Sequence, residues 1–117
     1  MKKLKSKVLY HGGSIPVPSH LQKGLIELDE GLFHFTASGK SPKHNIQMAI
    51  PLDRIKSAKA EERKYYSSMG YFLVIEFREE NGKDQVLDLE IRSFVRRGRA
   101  QAISRLWAEI LSDKKRL

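Results

Sequence analysis

Residues 73–91 constrain this chain more than any other stretch. Leu73, Ile75 and Phe77 fall at a spacing of two, Asn81-Gly82 follows, and Leu87, Leu89 and Ile91 resume the spacing. Successive side chains of a strand point to opposite faces. Both runs therefore bury one face of a hairpin and leave Glu76, Arg78, Asp88 and Glu90 on the other. Asn-Gly tolerates positive φ at both positions and predicts a two-residue turn of the primed type. A lone hairpin is marginal in water, so the rest of the chain has to cover its apolar face.

The remaining sequence supplies strands and a helix to do so. Residues 8–15 predict a first strand with a bulge or bend at Gly12-Gly13, ended by Pro16 and Pro18. Ile26 and Leu28 alternate with Glu27 and Asp29, and the turn Asp29-Glu30-Gly31 leads to a strand carrying Phe33 and Phe35. Residues 38–45 read as a polar loop, 46–50 as a strand, 51–54 as a turn and 55–63 as a more charged strand. The period then changes: Ala102, Ile103, Leu106, Trp107, Ile110 and Leu111 recur at helical spacing. Ser93 is a candidate cap for this helix, and a start nearer Arg97 fits the period as well. The sum is seven strands and one terminal helix. So many strands leave exposed edges unless the sheet closes or is covered, which predicts a small barrel plugged by the helix.

A chain of 117 residues forms one domain large enough to bury a core without metals or disulfides. Absence of cysteine excludes disulfides, thiolate metal sites and cysteine nucleophiles. The lysine-rich start resembles a signal n-region, but no apolar h-region follows it. No apolar run approaches the ~20 residues that span a bilayer, and a reducing cytoplasm is the expected compartment. The net charge of +8 is uneven: residues 1–10 carry +4, residues 92–117 carry +6, and residues 11–91 carry −2. We therefore expect a domain at 8–112 between basic tails at 1–7 and 113–117, with anionic partners favoured by the basic ends.

The order of seven antiparallel strands and an amphipathic helix bearing a tryptophan resembles the pleckstrin-homology (PH) superfold. The nearest likeness is to its GRAM-type and bacterial PH-like members. Ile50-Pro51-Leu52-Asp53-Arg54-Ile55 is similar to a stretch those domains carry between strands, and Leu32-Phe33-His34-Phe35-Thr36 resembles their third strand. Trp107, with Ile103 and Ile110, looks like the tryptophan that anchors their helix. The resemblance implies a seven-stranded antiparallel barrel of two near-orthogonal sheets, capped by one C-terminal helix, that binds rather than catalyses. It departs from the phosphoinositide-binding members: after Lys23, residues 24–36 contain no lysine or arginine.

Three candidate surfaces follow. At the PH-type mouth, His20, Lys23, Lys40, Lys43 and His44 would face an anion, opposed by Glu79, Glu80 and Asp84 on a neighbouring loop. At the helix-capped end, strand direction brings Lys2, Lys3, Lys5 and Lys7 toward Arg92, Arg96, Arg97 and Arg99. A third surface is the segment with Lys64, Tyr65, Tyr66 and Tyr71, where aromatics beside lysine suit a protein partner, a membrane interface or stacked bases. The four histidines show no metal-ligand spacing, and no nucleophile, phosphate-loop or zinc-protease motif is present. Neither a cofactor, a metal nor an enzymatic activity is expected. The expected partner is a protein or an anionic membrane surface, with nucleic acid at the basic termini as the alternative.

Overall fold

The computed structural model describes residues 4–13, 22–38, 45–65, 68–92 and 97–112. Seven strands run in chain order: β1 (Leu4–Gly13), β2 (Gln22–Asp29), β3 (Leu32–Ala37), β4 (Ile46–Pro51), β5 (Ile55–Tyr65), β6 (Ser68–Arg78) and β7 (Asp84–Ile91). A 3-10 turn at Leu52–Arg54 joins β4 to β5, and the helix α1 spans Arg97–Ser112. The described part of α1 begins at Arg97; Ser93, the other start compatible with the sequence, lies outside the described residues.

All seven strands pair antiparallel in one sheet of order β4-β3-β2-β1-β7-β6-β5. This departs from the expected closed barrel of two sheets. β4 and β5 end the sheet and do not pair with each other. β4 is only six residues long and finishes at Pro51, which has no N–H to donate to a ladder. The edge at β5 is instead covered by α1, whose Ser112 hydroxyl donates to the Ala58 carbonyl at 3.1 Å.

β1 joins the two halves of the sheet. Its residues 4–10 pair with β2, whereas residues 8–13 pair with β7. The register with β7 slips at His11, and Gly12 takes φ 125° there, so the bulge lies where the glycine pair predicts it. β1 also begins at Leu4, within the segment expected to be tail.

One core fills the inner face and draws on every strand and on α1. Trp107 is fully buried; its ring meets Phe33 edge-on at 5.7 Å, and its Nε1–H donates to Ser6 Oγ at 2.8 Å. Ile103 and Ile110 are partly buried against the same core.

The primed two-residue turn lies at β2–β3, not at β6–β7. At β6–β7 only Gly82 has positive φ (86°); the Glu79 and Gly82 N–H groups donate to Lys83 O and Glu79 O. That is a three-residue loop closed by a left-handed glycine, not the primed two-residue turn that Asn81-Gly82 suggests, because Asn81 keeps negative φ. The primed turn is at β2–β3, where Glu30 (φ 50°) and Gly31 (φ 80°) are both left-handed between the paired Asp29 and Leu32.

Candidate ligand groove

β1 alternates sides along its length. Leu4, Ser6, Val8 and Tyr10 turn toward the core, so Lys5, Lys7 and Leu9 turn outward. On β2 the buried Ile26 and Leu28 leave Lys23, Leu25 and Glu27 outward. The register sets Lys7 opposite Leu25 and Leu9 opposite Lys23. Lys7 and Lys23 are thus diagonal neighbours on one face, roughly 7–8 Å apart along the backbone. Across the other side of β1, Val8 pairs with Ile91, and the Arg92 N–H donates to the Lys7 carbonyl at 3.0 Å. Arg92 therefore lies directly across from Lys7.

A groove of about 780 Å³ crosses these residues. Lys7, Lys23 and Arg92 supply its cations, Leu9 and Leu25 an apolar floor, and Thr36, Ser38, Asn45 and Gln47 an uncharged polar side on β3 and β4. None of its described lining residues is acidic. Glu27 lies one step further along β2, 3.9 Å from Lys5 Nζ. Glu90 is held by His11: Nε2 and Oε1 are 2.8 Å apart, while Oε2 is 3.9 Å from Arg92.

The groove redraws two of the expected surfaces. Lys7 and Arg92 come from the helix-capped set and Lys23 from the mouth set, yet they line one groove. Strand direction separates the two sets only for a β1 that starts near residue 8; β1 begins at Leu4, so Lys7 lies within the ladder, diagonal to Lys23. Lys5 is exposed beside Glu27, and Arg99 is exposed on the first turn of α1. Lys2, Lys3, His20, Lys40, Lys43, His44, Tyr66 and Arg96 lie outside the described residues, as do the side chains of Tyr65 and Arg97. In the tyrosine segment Lys64 is exposed opposite Met69, whereas Tyr71 packs against the core.

A second groove, about 440 Å³, separates β4 from the β6–β7 hairpin, with the Arg54–Glu80 ion pair at its rim (3.5 Å). Sequence patterning gives no sign of a further cluster on the outer face of β5–β7. Phe72 points away from the core and is still fully buried, beneath the Arg63 guanidinium (4.1 Å to the ring centroid) and the edge of His11 (4.7 Å). Arg63 donates to Asp88 at 2.8 Å and to Glu61 at 3.3 Å, and the Asp88 hydrogen bond holds its guanidinium even more firmly protonated than usual.

Among the described residues no group of three or more histidines and carboxylates is placed to hold a metal, and no helix is long and apolar enough to cross a membrane. No family model matches the sequence, and neither a curated protein nor a solved structure matches it.

Proposed function

We propose that this chain is a non-enzymatic binding module of PH-like architecture, an open version of the barrel with α1 over the β5 edge, and that it docks a protein partner in the groove across β1–β4. The observation that carries this reading is the groove's composition: three cations over two leucines, with no acid among the described lining residues. Such a surface suits an anionic ligand that also has apolar parts. Concavity favours a polypeptide over a bilayer, because Leu9 and Leu25 are half-buried and do not project toward a flat membrane. Nucleic acid is less well served, since no aromatic ring is among the described lining residues for bases to stack on.

Fluorescence anisotropy with a labelled peptide of glutamates and leucines, at about 50 mM salt where screening is weak, tests the proposal. The expected Kd is on the order of 10–100 μM. Replacing Lys7, Lys23 and Arg92 together by glutamine is expected to weaken it at least tenfold, roughly 1.4 kcal/mol. Equal binding by the triple variant would refute the site. Binding of anionic vesicles or of a single-stranded oligonucleotide in place of the peptide would refute the protein partner.

A further inference from the structure

Beyond that reading, we infer that β4 is a self-association edge, along which two copies of this chain pair antiparallel and join their sheets. β4 has a ladder neighbour on one side only. Its ladder with β3 shows which backbone groups face the open side. Residues opposite one another in an antiparallel pair alternate between those that exchange both bonds and those that exchange none. The Leu52 N–H donates to the Gly31 carbonyl at 3.1 Å, and these two residues flank the Leu32–Pro51 pair. Leu32–Pro51 is therefore a non-bonded pair, which suits a proline without an N–H, and by alternation so are His34–Ala49 and Thr36–Gln47. Their β4 members turn their backbone groups away from β3. Gln47 and Ala49 thus present N–H and C=O to the open edge, and Pro51 presents C=O alone.

The two ends of the sheet are guarded differently. β5 carries Lys56, Lys59, Glu61, Glu62 and Arg63 along its length, and α1 lies against it, with Arg105 reaching Glu62 at 3.4 Å. Charge and cover are usual means of keeping an edge from pairing. Ile46–Pro51 holds no charged residue, no described element pairs with its free side, and a groove of about 440 Å³ runs beside Met48, Ala49 and Ile50. The missing charges favour a second copy. In a two-fold pair a strand meets itself, so any charge near the axis would face its own like; β4 meets itself without repulsion. An axis at Met48 uses the free groups fully. Gln47 then pairs with the partner's Ala49 and Ala49 with the partner's Gln47, and each pair exchanges both bonds. Met48, half-buried against the core, meets the partner's Met48 on the inner face. An axis at Ala49 would set Gln47 against the partner's Pro51 and lose the bond that proline cannot donate. Gln47 also lines the groove across β1–β4, so the dimer sets two such grooves on one continuous outer face, whatever they bind. A six-residue strand buries less than the ~1,200 Å² of a stable complex, so the dimer is a transient one.

Sedimentation equilibrium of the full chain, from about 10 μM to about 1 mM, reads the association. The mass should rise from one chain toward two and no further, with a Kd on the order of 100 μM. Ala49→Pro removes an N–H that the ladder with β3 does not use, so it should keep the fold and weaken the dimer at least tenfold. Ala49→Lys puts a charge at an exposed position of the same edge and should have the same effect, without touching the backbone. Amide hydrogen exchange gives the register: Gln47 and Ala49 should gain protection as concentration rises, while Met48 and Ile50 stay protected throughout. A monomer at every concentration would overturn the inference, as would a dimer that both variants leave unchanged. Growth beyond two copies would overturn the two-fold pairing. Protection of Gln47 and Ala49 in a monomeric chain by an added hexapeptide of alternating valine and threonine would assign the edge to a foreign strand and overturn the second copy.

Discussion

Ser6→Ala tests how the helix is fixed to the sheet. Ser6 is half-buried on β1, and its Oγ accepts the Trp107 Nε1–H at 2.8 Å. Trp107 is fully buried, so deleting the hydroxyl leaves an indole N–H without its partner inside the core. An unsatisfied buried donor costs about 1–3 kcal/mol. Because Ser6 is itself only half-buried, water reaches part of this site and places the cost in the lower half, about 1–2 kcal/mol. The atom removed is one oxygen, so the cavity contribution is small. Trp107→Phe removes the donor and part of the ring; in that background Ser6→Ala has no hydrogen bond left to break and should cost close to nothing. The coupling across the cycle is therefore expected to be about 1–2 kcal/mol. Urea unfolding followed by far-UV circular dichroism suits all four proteins, because Trp107 is the sole tryptophan and its replacement removes the fluorescence signal. The matching loss in Tm for Ser6→Ala is roughly 4–8 °C. An equal cost of Ser6→Ala with Trp107 and with Phe at position 107 would refute the reasoning, since the serine would then act through something other than the indole.

Tyr10 is fully buried, and its hydroxyl has no hydrogen-bond partner; burial pushes its pKa up. Tyr10→Phe should therefore stabilise the fold by about 1 kcal/mol and remove the loss of stability that begins as pH rises past about 10, where the unfolded tyrosine ionises first. A destabilised variant in chemical unfolding would mean that the hydroxyl is bonded. Asp84 bonds Lys56 Nζ (2.9 Å) and Arg78 Nε (3.1 Å), which hold its carboxyl below the usual range. Its contribution is complete above about pH 4 and fades as pH falls through the lowered value, so the stability gap between the wild type and Asp84→Asn should close between about pH 4 and pH 2. A gap unchanged across that window, in urea midpoints, would contradict the clamp. A Cβ on Gly24 would sit 2.6 Å from the Thr36 carbonyl oxygen and 3.0 Å from the Phe35 ring. Gly24→Ala should cost about 1–3 kcal/mol in thermal unfolding, and a neutral result would show that β2 and β3 separate freely.

What the sequence made legible follows from how local each signal is. Alternation in β2, β3, β6 and β7 is contained within each strand, as is the helical period around Trp107, so element order and type could be read directly. β1 hid its first residues. Leu4, Ser6 and Val8 do alternate with Lys5 and Lys7, but a serine on the inner side reads as polar until its partner is known, and that partner is 101 positions away in α1. Strand direction alone puts Lys7 and Lys23 at opposite ends of the molecule; the β1–β2 register, with β1 beginning at Leu4, makes them neighbours. The same non-locality conceals Phe72, whose outward position looks exposed until Arg63 and His11 arrive from other strands.

The charge pattern of the outer face also separates structure from candidate function. On β5–β7, Arg63 meets Asp88, and Lys56 and Arg78 share Asp84, so these groups largely neutralise themselves and leave little field for a ligand. The groove has no acid among its described lining residues. Two unit charges about 8 Å apart repel by roughly 0.5 kcal/mol in water, less at physiological salt. The three pairs among Lys7, Lys23 and Arg92 together cost on the order of 1 kcal/mol, which a stable fold tolerates. The same arithmetic limits what an anion recovers from them to a modest affinity. Apolar contact has to supply the remainder: at about 25 cal/mol per Å², covering roughly 100 Å² of leucine surface contributes about 2.5 kcal/mol, more than the charges do. In the binding module proposed above, the cations would select an acidic ligand and Leu9 and Leu25 would hold it.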